Sequence, residues 1–197
     1  MVVGYPHHLY KYLHMCKKRN IFVVSDIWFN RPMGEFSYMT NEEYNNMIIN
    51  NWNGVVSDSD IIYVLGGVGI GNCYDIVLKL HGEIHFLNSV LSCCDSIFMN
   101  IIKDGIKNSV NKELSKRIIF EDNQILMIPN DDCVLSYFPL NDWAGKTTKT
   151  FCFHGYTDKH NLNDNNISCK LELWKNSPVS IKEIKSKFST FRKLKIK

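Results

Sequence analysis

The sequence predicts a mixed α/β fold in which two sheets pack together with helices outside, and three observations point to it. Short apolar runs rich in β-favouring residues recur from residue 21 onward. In the first half they alternate with stretches of helical period, and in the second half they follow one another with polar turns between. A chain of 197 residues, 45% hydrophobic and 22% charged, can bury one sizeable core, so a single domain is expected.

The elements follow in order. IFVVSD at 21–26 is an apolar run ending on an acidic residue, as buried strands do. From residue 41 the period changes: NEEYNNMIINNWNGVV sets Tyr44, Met47, Ile48 and Trp52 at helical spacing, with Thr40 as N-cap and Glu43 completing a capping box. DIIYVL at 60–65 predicts a second strand, CYDIVLKL a helix and IHFL a third strand. Beyond them RIIFE, QILMIP, CVLSYFPL, TFCFHG and CKLELW read as strands separated by turns such as PNDD and NLNDNN. The chain has no internal repeat and no low-complexity linker.

A net charge of +3 does not by itself imply a nucleic-acid partner, and its distribution matters more. The C-terminal stretch SIKEIKSKFSTFRKLKIK carries seven basic side chains against Glu183 alone. A solvated amphipathic helix accounts for it. The alternative is an interaction surface formed by Lys185, Lys187, Phe188, Phe191, Arg192 and Lys193 on a basic tail spanning 185–197. Ile181, Ile184, Phe188 and Phe191 recur at helical spacing and favour a protein partner, whereas the lysines would suit nucleic acid. The seven cysteines are odd in number and never spaced CxxC, which fits reduced thiols. No apolar run approaches the ~20 residues of a membrane span. A cytoplasmic protein is therefore expected, with residues 1–20 as an N-terminal extension and the oligomeric state open. His7, His8 and His14 in that extension are accounted for as exposed histidines, with an accessory metal site as the alternative.

The segment IYVLGGVGIG at 62–71 places four glycines within six positions directly after a strand. Strand, glycine loop and helix is the order of a dinucleotide-binding turn, but that turn needs G-x-G-x-x-G. Here Gly67, Gly69 and Gly71 are spaced G-x-G-x-G, Asn72 stands where the third glycine belongs, and the Lys-Ser/Thr of a P-loop is missing. The nucleotide signal is weak.

A different comparison covers residues 21–184 in order: SDIWFNRP, EEYNNMIINNWN, DIIYVLGG, LHG, LSYFPLNDW, FHGYTD and NSPVSIKEI. This text resembles the small calcineurin-like metallophosphoesterases of bacteria and phages, whose pattern runs SDxHFxH, a helix ending NWN, LGD, LNG then GNHD, SHYP, HGHTH and PVSLEEI. Trp52, Asn53, Pro139, Trp143 and Pro178 match non-catalytic landmarks of that pattern. The resemblance implies one domain over 1–184: a four-layer α/β/β/α sandwich of two mixed sheets, with its site at the carboxyl ends of the strands.

The ligands such an enzyme needs are mostly missing. Two metal ions activate a water and polarise the phosphorus, so acidic and imidazole ligands must gather at one place. The resemblance puts a ligand aspartate at Asp26, which is kept, a histidine at Trp28, and the metal-bridging aspartate at Gly67. The asparagine and histidine of GNHD fall on Val90 and Leu91 without gaps; a three-residue insertion would instead align Cys93, Cys94 and Asp95, where thiols could hold zinc. As a bland reading, the two cysteines are strand or loop residues facing opposite ways. The SHYP histidine is Tyr137, and the two histidines of GHTH are Tyr156 and Asp158. His154 precedes that motif's glycine and is not a ligand in the family.

Clustered carboxylates without metal repel one another, so their replacement lets the fold stand alone. The expectation is a pseudoenzyme with no cofactor, acting by binding another macromolecule. Alternatives are a phosphodiesterase with a reduced or rebuilt site for one or two divalent transition metals, and a nucleic-acid- or nucleotide-binding module. Abundant Asn, Ile and Lys suit an AT-rich genome, such as a phage, where an inhibitor or decoy role would fit.

Overall fold

A computed structural model describes residues 19–32, 38–88, 93–108, 116–157 and 165–195, with backbone alone at 93–96 and 189–195. Along the chain come β1 (Ile21–Val24), α1 (Asn41–Val55), β2 (Ile61–Val64), α2 (Tyr74–Leu78), β3 (Glu83–Phe86), α3 (Cys93–Asn108), β4 (Ile118–Phe120), β5 (Ile125–Ile128), β6 (Cys133–Ser136), β7 (Phe151–His154), β8 (Asn166–Ser168), β9 (Val179–Ser180) and α4 (Ile181–Lys195). The first sheet has the order β4-β3-β2-β1-β9, parallel except for β9. The second has the order β5-β6-β7-β8, with only β5 antiparallel to its neighbour. Both sheets are mixed, and with four α-helices among the described residues the α/β class stands.

Strand alternation decides which side chains meet. Phe22, Val24, Ile62, Val64, Ile84 and Phe86 turn outward onto Tyr44, Ile48 and Trp52 of α1, Val77 of α2, and Phe98 and Ile102 of α3. Val23, Tyr63, Leu65 and Leu87 turn the other way and pack on Leu135, Phe151, Phe153 and Ile167 of the second sheet. Beyond that sheet, Val134 and Cys152 are covered by Trp143 and Leu140 from the connection after β6. Among the described residues, this outer face carries a loop where the resemblance implies a helix.

The capping box at Thr40 and Glu43 forms as expected. At the other end of α1, Trp52 Nε1 donates to His81 O at 3.0 Å and Asn53 Nδ2 to Lys79 O at 2.9 Å. Two of the sequence landmarks therefore clamp the helix to the turn before β3. Cys73, Cys133, Cys152 and Cys169 are free and buried, and burial pushes the Cys133 thiol up to about 12.

Several expectations need correction. CKLELW is no strand: β8 lies just upstream at Asn166–Ser168, and Leu171–Trp174 forms a 3-10 turn. The cause is a crossing, because after β8 the chain leaves its sheet to pair Lys170 with Ser25. Cys93 and Cys94 open α3 and so belong to a helix, with side chains outside the described set. The boundary between domain and tail at 184/185 cuts through α4, which is one helix from Ile181 to Lys195. Phe188 is only 6% exposed and packs in the inter-sheet core with Ile181 and Ile184, so it is unavailable to a partner.

Candidate functional site

In both sheets the parallel strands end at the same side of the molecule, where residues one to three positions past the strands converge. Asp26 follows β1, Gly67 follows β2, Tyr137 follows β6, Tyr156 follows β7 and Lys170 follows β8. Backbone bonds lock the meeting. Ser25 N donates to Cys169 O at 3.0 Å, Leu171 N to Ser25 O at 2.9 Å, and Gly155 N to Tyr137 O at 2.9 Å. Gly155 is needed for this closeness, since a Cβ there would lie 2.6 Å from Ser25 Oγ.

The loop after β1 is unusual in its backbone. Asp26, Trp28 and Asn30 alternate in the left-handed region with φ of 53°, 53° and 56°, a conformation L side chains adopt at a cost of about 1–2 kcal/mol each. What holds them is the glycine loop: Asp26 N donates to Gly66 O, Trp28 N to Gly67 O and Phe29 N to Val68 O, each at 2.9 Å. The glycine segment is thus a template for the β1 loop. It leads into α2, a helix of five residues, too short to act as a dinucleotide-binding turn.

Asp26 is buried, at 8% exposure. Its Oδ2 lies 3.4 Å from the Lys170 ammonium, and its Oδ1 accepts from the Tyr137 hydroxyl at 3.3 Å. Gly67 sits against the same carboxylate: a Cβ at that position would be 2.3 Å from Asp26 Oδ1 and 2.8 Å from its Cα. Around this pair lies an aromatic group, with ring centroids 5.0 Å apart for Tyr137 and Phe138, 4.7 Å for Phe138 and Tyr156, and 6.0 Å for Tyr137 and Tyr156. Tyr156 is 56% exposed and forms the outer rim. A cavity of about 180 Å³ opens beside Tyr137 and Phe138, reaching Asn88 and Ser136.

The structure therefore brings together Asp26, Gly67, Tyr137 and Tyr156, with Trp28 tied to Gly67 through its backbone. His154 does not join them. It shares strand parity with Cys152, which packs on the outer face of the second sheet, and its own exposure is 1%. Val90, Leu91 and Asp158, like the histidines at 7, 8 and 14, lie outside the described residues. Phe191, Arg192 and Lys193 are on the backbone of α4, with side chains outside the description. Lys170 and Phe138 were missed by sequence reasoning. Nothing local marks Lys170, which shares the run NISCKLELW with a second charged residue, Glu172.

A dinuclear metal centre does not fit what is gathered here. Among the described residues, no group of three or more His, Cys, Asp or Glu side chains could hold a metal ion. The Asp26 carboxylate already faces a cation supplied by the chain, Lys170.

These features define a two-sheet α/β protein whose strand-end site is built of one paired carboxylate and an aromatic rim. No protein-family description and no curated protein matches the chain. Among solved structures, a protein of unknown function from Aquifex aeolicus is similar to it, with a TM-score of 0.53 and 17% identity over 85% of this chain and 98% of that one. At that identity the likeness concerns the fold alone.

Proposed function

We propose that this chain is a calcineurin-like phosphoesterase scaffold that works without metal catalysis and acts by binding another macromolecule. The observation that carries it is the Asp26–Lys170 pair, at 3.4 Å. A carboxylate that ligates a metal needs its lone pairs open toward the ion, whereas an ammonium tethered by the polypeptide already neutralises this one. Gly67 packs against it where the resemblance would have a bridging aspartate, and Tyr137 donates where it would have a histidine. Tyrosine and glycine supply neither the charge nor the imidazole lone pair for metal-assisted hydrolysis. The finer architecture belongs to the same proposal, supported by two mixed sheets face to face and by the landmarks Trp52, Asn53 and Trp143 in structural hydrogen bonds.

The test combines elemental analysis with an assay. The purified protein is expected to carry no stoichiometric Mn, Fe, Ni or Zn, and chelator is expected to leave Tm unchanged, because a metal bound only to the native state would raise it by mass action. Hydrolysis of a generic phosphodiester with added Mn²⁺ is expected to match that of an Asp26→Ala variant. Two metal ions per chain, or Mn²⁺-dependent turnover that Asp26→Ala abolishes, would overturn the proposal.

A further inference from the structure

The geometry points to a second site: we infer that the groove between the 3-10 turn Leu171–Trp174 and helix α4 binds the phosphate backbone of a nucleic-acid strand. This deepens the proposal of a macromolecule-binding role and rests on it.

The groove encloses about 620 Å³ and presents Lys175, Lys182 and Lys187 with the hydroxyl-bearing Ser180 and Ser186, against a single carboxylate, Glu183. All three lysines are exposed, and none has an ion-pair partner among the described residues. Lys187 lies over the Trp174 ring at 4.6 Å. Lys182 occupies the first turn of α4, where the helix dipole already presents positive charge. The three ammonium groups line one groove, and in that first turn Glu183 alone opposes the positive charge of Lys182 and the dipole. A bound anion relieves both the mutual repulsion and the conflict with the dipole.

The class of partner follows from what the groove lacks. A protein interface is anchored by apolar or aromatic side chains inserted into pockets. The apolar stripe of α4 is spent internally, with Ile181, Ile184 and Phe188 at 2%, 0% and 6% exposure. Trp174 is likewise committed, its Nε1 donating to Ser168 O at 2.9 Å and its ring covered by Lys187. Leu173, 36% exposed, also lines the groove, but beside it stand three ammonium groups and two hydroxyl-bearing side chains, the groups that contact phosphate oxygens without reading sequence. Lys185 stands apart, because its Nζ donates to the Asp131 carbonyl. The same helix continues to Lys195 and carries Arg192, Lys193 and Lys195 in its sequence.

Deleting 185–197 would be a poor test, since it removes Phe188 from the core. Charge reversal at exposed positions avoids this. Fluorescence anisotropy with labelled oligothymidylate and oligouridylate, read across a salt series, is compared between the native chain and the double variant Lys175→Glu/Lys182→Glu. Unchanged Tm confirms that the variant is folded. The native chain is expected to bind both oligonucleotides with affinity falling steeply with salt, by about 0.7 in logarithmic slope per phosphate contacted. The double variant is expected to lose about tenfold in affinity or more and about 1.4 in slope. No binding by the native chain at low salt, or binding that the variant retains, overturns the proposal. So does tighter binding of polyglutamate than of either oligonucleotide with the same loss in the variant, which would assign the groove to an acidic protein. Metal content and hydrolysis are measured on the same preparation: Mn²⁺-dependent turnover would defeat the pseudoenzyme proposal, while salt-sensitive binding lost in the variant would still support the groove.

Discussion

Gly67 is where a single atom decides most. Its φ is +67°, and an added Cβ would sit 2.3 Å from Asp26 Oδ1. Gly67→Ala therefore combines a left-handed backbone penalty with overlap against a buried group, and urea unfolding should show a loss of about 3 kcal/mol. Gly54→Ala is its control: that glycine lies in α1 with nothing within 4 Å of the added atom, so the change should be neutral or stabilise by up to about 1 kcal/mol. Asp60 carries a pH dependence of its own. Burial alone would raise its pKa, but hydrogen bonds from Ser57 N and Oγ and from Asn20 N and Nδ2 outweigh that and hold it below the ordinary carboxylate value. A folded pKa below the unfolded one gives stabilisation that is complete above the unfolded pKa and is lost as pH falls through the folded pKa. Asp60→Asn should accordingly flatten the acid limb of a stability-versus-pH curve, with little change of slope above about pH 6.

At the scale of elements, α4 behaves as part of the domain. Phe188 packs edge-on to Trp174 with centroids 6.4 Å apart inside the inter-sheet core. Phe188→Ala should cost about 3 kcal/mol in chemical denaturation, the range of a buried aromatic truncation, where an exposed tail residue would cost nothing measurable. The spacing of Ile181, Ile184 and Phe188 was readable in the sequence. Whether that stripe would meet its own core or another molecule was not, because burial depends on where β9 delivers the helix. The helix α1 was readable down to its cap, since Thr40 and Glu43 act over three residues. In contrast β8 was hidden: NIS follows a polar stretch and has no alternation of its own, and its three buried residues are recruited by pairing with β7. The helix α3 was hidden by a period not counted, although Phe98 and Ile102 sit four apart on its buried face.

For the molecule as a whole, the site was partly legible. Asp26, Gly67, Tyr137 and Tyr156 were singled out through the family resemblance, and their strands do deliver them to one end. Lys170 was not, because it reaches Asp26 only through the crossing at Ser25, a long-range event with no local signature. The close fit of Gly67 to Asp26 also constrains descent. A mutation placing aspartate at 67 would bring a Cβ to 2.3 Å from Asp26 Oδ1 and add a second carboxylate to one already matched with Lys170. To gain a pair of acids, a lineage would first have to swing Asp26 aside and discharge position 170. Each such intermediate would be less stable than its parent, since removing Lys170 strands a buried charge. Epistasis at these three positions makes the order of mutations matter, and selection for stability alone closes the short route to a second acid.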